Sequence, residues 1–210
     1  MDKMLKNESC ADFTSALASK VSVPGGGGAA ALAGALGAAL CAMTGHFTIG
    51  KKKYAAWEQD LLRMVQEAET IRLRLLALID EDAAAFAPLS RAYGVSRDDP
   101  MRQELLEQAL RGAVRPPLEM MHQIGQAIVL LEEMQEKGSV LLLSDVGCGA
   151  LCCRAALESA SLNVFVNTRS LHDRDFARTV EEEATDLLKC FIPRAEAIST
   201  AIMRRIREGN

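Results

Sequence analysis

Apolar positions recur at spacings of three and four along almost the whole chain, the period of helices with one face in a core. A short first helix is expected from Cys10 to Ser19, with Phe13, Leu17 and Val21 on one side. A second, built from small residues, runs from Gly28 to Phe47. Tyr54 to Tyr93 forms one long helical pattern that Gly94 ends. Asp98 or Asp99 is expected to cap the next helix, with Pro100 in its first turn. Pro116–Pro117 should break or kink that helix before it resumes to Glu136 and stops at Lys137–Gly138. Ser144–Asp145 starts a further helix toward Asn167, and Asp173 caps a last one toward Arg207 with a bend at Pro193. Val140 to Leu143 reads as a short strand at most, and four residues without a partner run make no sheet. The pattern predicts an all-α helical bundle with long helices, as a single domain over residues 1–210.

One residue breaks the pattern. On the long helix, Ile71, Leu75, Leu78, Asp82, Phe86, Leu89 and Tyr93 share one face. At the helical step they fall within a sector of roughly 80°. Asp82 therefore lies on the apolar stripe, while Asp80 projects to the opposite side and Glu81 lies near the flank. Burial disfavours the charged form of a carboxylate, so Asp82 must be paired, protonated or facing a cavity. A core acid bonded to an Arg or a backbone amide satisfies this, and so does a proton-transfer residue.

The small-residue helix opens on Pro24, Gly25, Gly26, Gly27 and Gly28 and is followed by Lys51, Lys52 and Lys53. The glycines let backbone approach a ligand closely. The first amides of the helix lack intrahelical partners and suit an anion or a polar ring edge. A tight turn entering a close-packed helix explains the same residues. A phosphate loop does not, because no Gly-Lys-Ser/Thr follows and no β-branched strand feeds it.

Composition narrows the function classes. A net charge of −4 argues against general nucleic-acid binding. The N-terminal MDKMLKNESCADF has no apolar h-region, so a cytoplasmic, reducing location is expected for the six cysteines. Cys148, Cys152 and Cys153 lack His partners at ligand spacing, and no metal site is expected. The apolar run from Ala29 to Met43 is short for a membrane span, which takes roughly 20 residues. No membrane insertion is expected. His46, His122 and His172 show no triad-like grouping. Asn163 and Asn167 share a helix face and either clamp a ligand or bond a neighbouring helix. Small-residue seams suit contact between subunits, and a two-fold homodimer is the simplest expectation.

The segments VPGGGGAAALAGALGAAL with IGKKKY, then LIDEDAAAF, then SDVGCGALCCRAALESASLNVFVNTRSLHD with Asp175–Phe176, occur in an order that resembles the cyclodeaminase family. That family comprises the C-terminal domain of formiminotransferase-cyclodeaminase and the stand-alone methenyltetrahydrofolate cyclohydrolases. The resemblance runs from about Phe13 to Phe176. It implies an all-helical, cyclodeaminase-like dimer acting on one-carbon derivatives of tetrahydrofolate, with no permanently bound cofactor. Hydrolysis of the 5,10-methenyl form to 10-formyltetrahydrofolate is the first expectation. Cyclisation of the 5-formimino form with loss of ammonia is the second, and a catalytically silent helical dimer or an anion- or nucleotide-binding module are the alternatives. By motif position the resemblance makes Asp82 the catalytic acid/base. It puts Pro24 to Gly28, the three lysines, Ser144, Asp145, Asn163 and Asn167 around the substrate. The lysines would meet the anionic glutamate tail of a folate, with or without further glutamates. Three positions depart from the family pattern: Gly28 in place of Ser, and His46 and Ser139 each in place of Asn.

Overall fold

Six α-helices carry the chain in the computed structural model, which describes residues 4–209; among these there is no strand. They are α1 (Cys10–Leu17), α2 (Gly26–Thr48), α3 (Glu58–Gly94), α4 (Arg102–Lys137), α5 (Leu143–Thr168) and α6 (Arg174–Glu208). A short 3-10 turn at Leu5–Asn7 precedes α1, and others at Lys52–Trp57 and Val140–Leu142 join α2 to α3 and α4 to α5. Helix α4 lies behind α2 and α5 and also touches α3 and α6, which flank the pair. Leu75 and Leu78 of α3 and Met120, Ile124, Ile128 and Leu131 of α4 are fully enclosed. Each stabilises the bundle by roughly 1.5–3 kcal/mol.

Helices α2 and α5 run antiparallel with backbones close together. A Cβ on Gly37 would lie 2.9 Å from the Gly149 carbonyl oxygen, and one on Gly149 would lie 3.2 Å from the Gly37 oxygen. No larger residue fits at this crossing, which explains why both helices are rich in Ala and Gly. The same register sets Gly26 beside Asn163 at one end, and near the other Thr44 lies beside Gly138, which ends α4 just before α5 begins.

Several boundaries differ from the sequence expectation for identifiable reasons. Helix α4 runs unbroken through Pro116 and Pro117, both buried. Pro117 has no N–H to give the Ala113 carbonyl, which loses its partner within the helix. Asn167 Nδ2 donates to that oxygen instead, at 3.2 Å. Neither Asp98 nor Asp99 caps α4; Asp99 Oδ1 accepts from Met101 N–H at 2.8 Å, and the helix begins at Arg102. Helix α5 starts at Leu143 after a 3-10 turn, so Ser144 and Asp145 occupy its first turn rather than its cap. Asp173 caps α6 through Phe176 N–H at 3.0 Å, and that helix continues through Pro193. In α1 only Phe13 is buried; Leu17 and Val21 face outward.

Helix α2 and the segment Val140–Thr168 are long and apolar enough, by length and composition, to cross a membrane. Both pack into the bundle. They nevertheless expose Leu36 and Phe47 of α2, Leu151, Leu162 and Val166 of α5, and Leu141 just before it. Leu141 is 81% exposed and Leu162 69%.

Candidate active site

Asp82 is half-buried on α3, and its carboxylate rests on the N-terminal end of α2. A Cβ placed on Gly27 would lie 2.5 Å from both carboxylate oxygens, so the acid occupies the space that any side chain at position 27 would take. The Gly28 N–H donates to it. The first helical bond of α2 runs from Ala29 N–H to Gly25 O at 3.1 Å. The preceding amides are left without intrahelical acceptors. Burial pushes the Asp82 pKa from 3.8 up to about 6, and the Gly28 hydrogen bond opposes this. Among the described residues no arginine pairs with it. Asp80, on the other side of α3, accepts from Leu5 N–H at 2.7 Å, and Glu81 pairs with Arg74 at the surface. Asp80 does project away from Asp82, but it is half-buried against the N-terminal segment rather than open to solvent, which the helical step by itself does not foretell.

Pro24 backs this corner. A Cβ on Gly28 would meet Pro24 Cβ at 3.5 Å, Ile79 Cγ2 at 3.6 Å and Phe13 Cζ at 3.7 Å, all ordinary contacts. Glycine at position 28 is thus not demanded by crowding, and a small side chain fits there. Asn163 completes the corner from α5: both polar atoms of its amide lie 3.6 Å from where a Gly26 Cβ would be. Its Nδ2 donates to Ser159 O at 2.9 Å, which turns the amide across the end of the helix. Asn167, one turn on, is held by the proline-freed Ala113 carbonyl.

The other expected ligand groups lie elsewhere. Gly50, at φ 78°, turns the chain out of α2 into the exposed Lys51, Lys52 and Lys53. Helix α2 has 23 residues. At a rise of about 1.5 Å each, it puts about 35 Å between the glycine turn and the lysines. Ser144 (exposed) and Asp145 (half-buried) sit at the lysine end, since α5 is antiparallel to α2. Within one chain, then, the expected site residues form two separate groups. Pro24 to Gly28, Asp82 and Asn163 make one. The lysines, Ser144 and Asp145 make the other. Of the three departures from the family pattern, only Gly28 is beside Asp82. Exposed His46 and buried Ser139 belong to the lysine end.

Tyr54 organises that second end, and the sequence reading does not single it out as a site residue. Its hydroxyl accepts from Val140 N–H at 3.1 Å. That bond holds its pKa below the usual value, and the Ser139 side chain and the charges of Lys53 and Lys51 act in the same direction. Lys53 Nζ sits 5.6 Å from the Tyr54 ring centroid, and Ser139 N–H donates to Thr48 Oγ1 at 2.9 Å. An aromatic residue directly after a lysine run is the signal that could have found it. Among the described residues no group of three metal-ligating side chains comes together, and His122 faces Glu183 at 2.7 Å rather than a nucleophile.

This arrangement has clear relatives. The chain is 38% identical to the methenyltetrahydrofolate cyclohydrolase of Methylorubrum extorquens over 208 residues, 97% of this chain and 98% of that one. It is 28% identical to the formimidoyltransferase-cyclodeaminase of Mus musculus over 90% of its own length, a match to 36% of that longer protein. The crystal structure of formiminotetrahydrofolate cyclodeaminase from Thermotoga maritima superimposes with a TM-score of 0.83 at 27% identity, covering 95% of this chain and 99% of that one. The family model for formiminotransferase-cyclodeaminase matches residues 9–186, and the chain belongs to that family.

Proposed function

We propose that this chain is a folate one-carbon enzyme that hydrolyses 5,10-methenyltetrahydrofolate to 10-formyltetrahydrofolate, with Asp82 as its general acid/base. The observation that carries the proposal is the seat of Asp82, a half-buried carboxylate held by a backbone amide with a pKa of about 6. The full-length similarity to a methenyltetrahydrofolate cyclohydrolase supports the choice of reaction.

The methenyl carbon belongs to a cation delocalised over two nitrogens, and an ionised Asp82 attracts it. Water adds to that carbon while Asp82 takes one of its protons. The resulting intermediate carries a hydroxyl between N5 and N10. As the C=O forms and the bond to N5 breaks, Asp82 returns a proton to N5 and the hydroxyl proton leaves to solvent. The formyl group remains on N10, and one proton is released overall. Proton transfer of this kind contributes typically 10²–10⁴-fold. The amides of Gly26 and Gly27 lie where they favour polar edges of the pterin or the oxygen that forms on the carbon. These steps need no redox change, and the folate derivative enters as substrate rather than as a bound cofactor.

A homodimer is part of the proposal. Both α2 and α5 expose apolar side chains, and a second copy placed on them by a two-fold axis would bury these. Because the two helices are antiparallel, such an axis can bring the lysine end of one copy toward the Asp82 end of the other. Such a pairing would join the two groups that one chain keeps apart, with Lys51, Lys52, Lys53, Ser144 and Asp145 meeting the anionic tail. The net charge of −4 gives no reason to invoke nucleic acid. The six cysteines are free thiols. A reducing cytoplasm, which is part of the proposal, would keep them so. Recovery of the protein in the soluble fraction without detergent would favour a dimer over a membrane as the cover for the apolar face.

The second reading is cyclisation of 5-formiminotetrahydrofolate, favoured by the structural similarity to a cyclodeaminase. The same acid would serve, taking a proton from the attacking nitrogen and giving one to departing ammonia. Loss of the methenyl absorbance on adding protein, absent with Asp82→Asn, is the expected result for hydrolysis. Decay at the spontaneous rate would reject it, and ammonia release from the formimino substrate would then support the second reading.

A further inference from the structure

Asp80 carries a tether that the proposed chemistry leaves unused. Its Oδ1 accepts from Leu5 N–H at 2.7 Å, and its Oδ2 lies 3.9 Å from Lys6 Nζ, which ties the start of the chain to the middle of α3. That Oδ2 is buried without a hydrogen-bond partner among the described residues, so the ammonium of Lys6 is the charge that compensates it. An unbonded buried carboxylate oxygen is costly, and the Leu5 N–H and the Lys6 ammonium are what offset it.

What the tether holds is α1. This helix has 8 residues. So short a helix does not persist alone in water. Ser9 caps it, accepting from Asp12 N–H at 3.0 Å, and Phe13 is its sole buried residue, 4% exposed. The Phe13 ring lies behind Gly28, together with Pro24 and with Ile79, the neighbour of Asp80 on α3. Gly28 in turn gives its amide to Asp82. The path is therefore short: Asp80 holds residues 5 and 6, these lead into α1, Phe13 lies with Pro24 and Ile79 beside the first turn of α2, and that turn presents the amide.

We propose that Asp80 is a positioning residue for Asp82, acting through the N-terminal strap and Phe13 to hold the Gly28 amide on the reacting carboxylate. This rests on the reading of Asp82 as the acid/base. Two carboxylates two residues apart then divide the work, one facing substrate and the other securing the scaffold behind it. The groups around Asp82 make the effect readable. The glycines of α2, Asn163 of α5 and Phe13 of α1 carry no charge, and burial and the Gly28 amide are what set its ionisation. Removing the amide disfavours the ionised form, so the apparent pKa must rise.

The test compares wild type with Asp80→Ala, Asp80→Asn and Phe13→Leu. Two readouts are used: carboxyl carbon chemical shifts of Asp82 against pH, and the pH dependence of kcat/KM on methenyltetrahydrofolate. Asp80→Ala and Phe13→Leu are expected to move the Asp82 titration and the acid limb upward together, by about half a pH unit or more. Asp80→Asn keeps the acceptor for Leu5 N–H and is expected to move both by less. An unchanged Asp82 titration in folded Asp80→Ala, or a loss of activity equal at every pH, would overturn the proposal. If Asp80→Ala does not fold, Phe13→Leu decides by the same criterion. A wild type without turnover, but with a titration that shifts in the variants, would reject the catalytic reading while upholding the tether.

Discussion

Two opposing influences meet at Asp82. Burial favours its neutral form, the Gly28 amide favours the ion, and the balance leaves it with a pKa of about 6. The folded value lies above the unfolded one. Its contribution to stability is therefore fully present below about pH 4 and is lost as pH rises through about 6. Asp82→Asn removes that loss, so the variant is expected to be more stable than wild type at about pH 7.5 and not at about pH 4. The gain should be on the order of 1 kcal/mol, or roughly 2–4 °C in Tm, read by thermal melts at the two pH values. The same variant should have no turnover, and wild-type kcat/KM should fall on the acid side below about pH 6 as the base is protonated. The adjacent glycines make a sharper pair. Gly27→Ala forces the carboxylate off the amide. It is expected to lower kcat about 100-fold with the helical circular dichroism intact. Gly28→Ser meets only ordinary contacts. It should change stability by less than about 1 kcal/mol and leave turnover within a few-fold.

At the scale of elements, the continuous α4 shows how a helix passes two prolines. The freed Ala113 carbonyl is answered from α5 by Asn167, so a residue four positions from Asn163 on the same helix face has a structural partner of its own. Asn167→Ala should destabilise the fold by about 1–2 kcal/mol. With Pro117→Ala in place, position 117 regains an N–H for that carbonyl, and the further cost of Asn167→Ala should shrink. Denaturant unfolding of the four proteins of this cycle measures the coupling, and strictly additive costs would show that the carbonyl is not what Asn167 serves. Both prolines and the asparagine spacing were legible in the sequence. Their meeting was not, because the partner lies 54 residues away.

For the whole molecule, the two ends of the α2–α5 pair pose the main question. About 35 Å of helix separates the lysines from Asp82 in one chain. If the second copy supplies them, two inactive variants should complement each other. Asp82→Asn mixed with a variant carrying Lys51, Lys52 and Lys53 changed to Glu should recover about a quarter of wild-type activity after subunit exchange, because half the dimers would then hold one intact site. Mixtures as inactive as their components would mean that each site is built within one chain. Leu162→Glu, on the exposed apolar face, should yield monomers by light scattering and lose turnover with them.

Much was determined by the amino-acid sequence alone. The period of its apolar positions dictated an all-helical bundle, and the helical step of about 100° placed Asp82 and Asp80 on opposite sides of α3. Ordered motifs pointed to the family. These are local properties, written in spacing. The tertiary structure decided what depends on residues distant in the chain: that Gly27 and Gly28 seat Asp82, that Asn163 joins them, and that the lysines do not within one copy. It also decided where helices begin, since Asp99 and Ser144 are competent caps that packing passed over for Arg102 and Leu143 as first residues. The physical reason is common to all of these. A side chain's chemistry is intrinsic to it, but its partners are fixed only when antiparallel packing of α2 on α5 sets which ends meet.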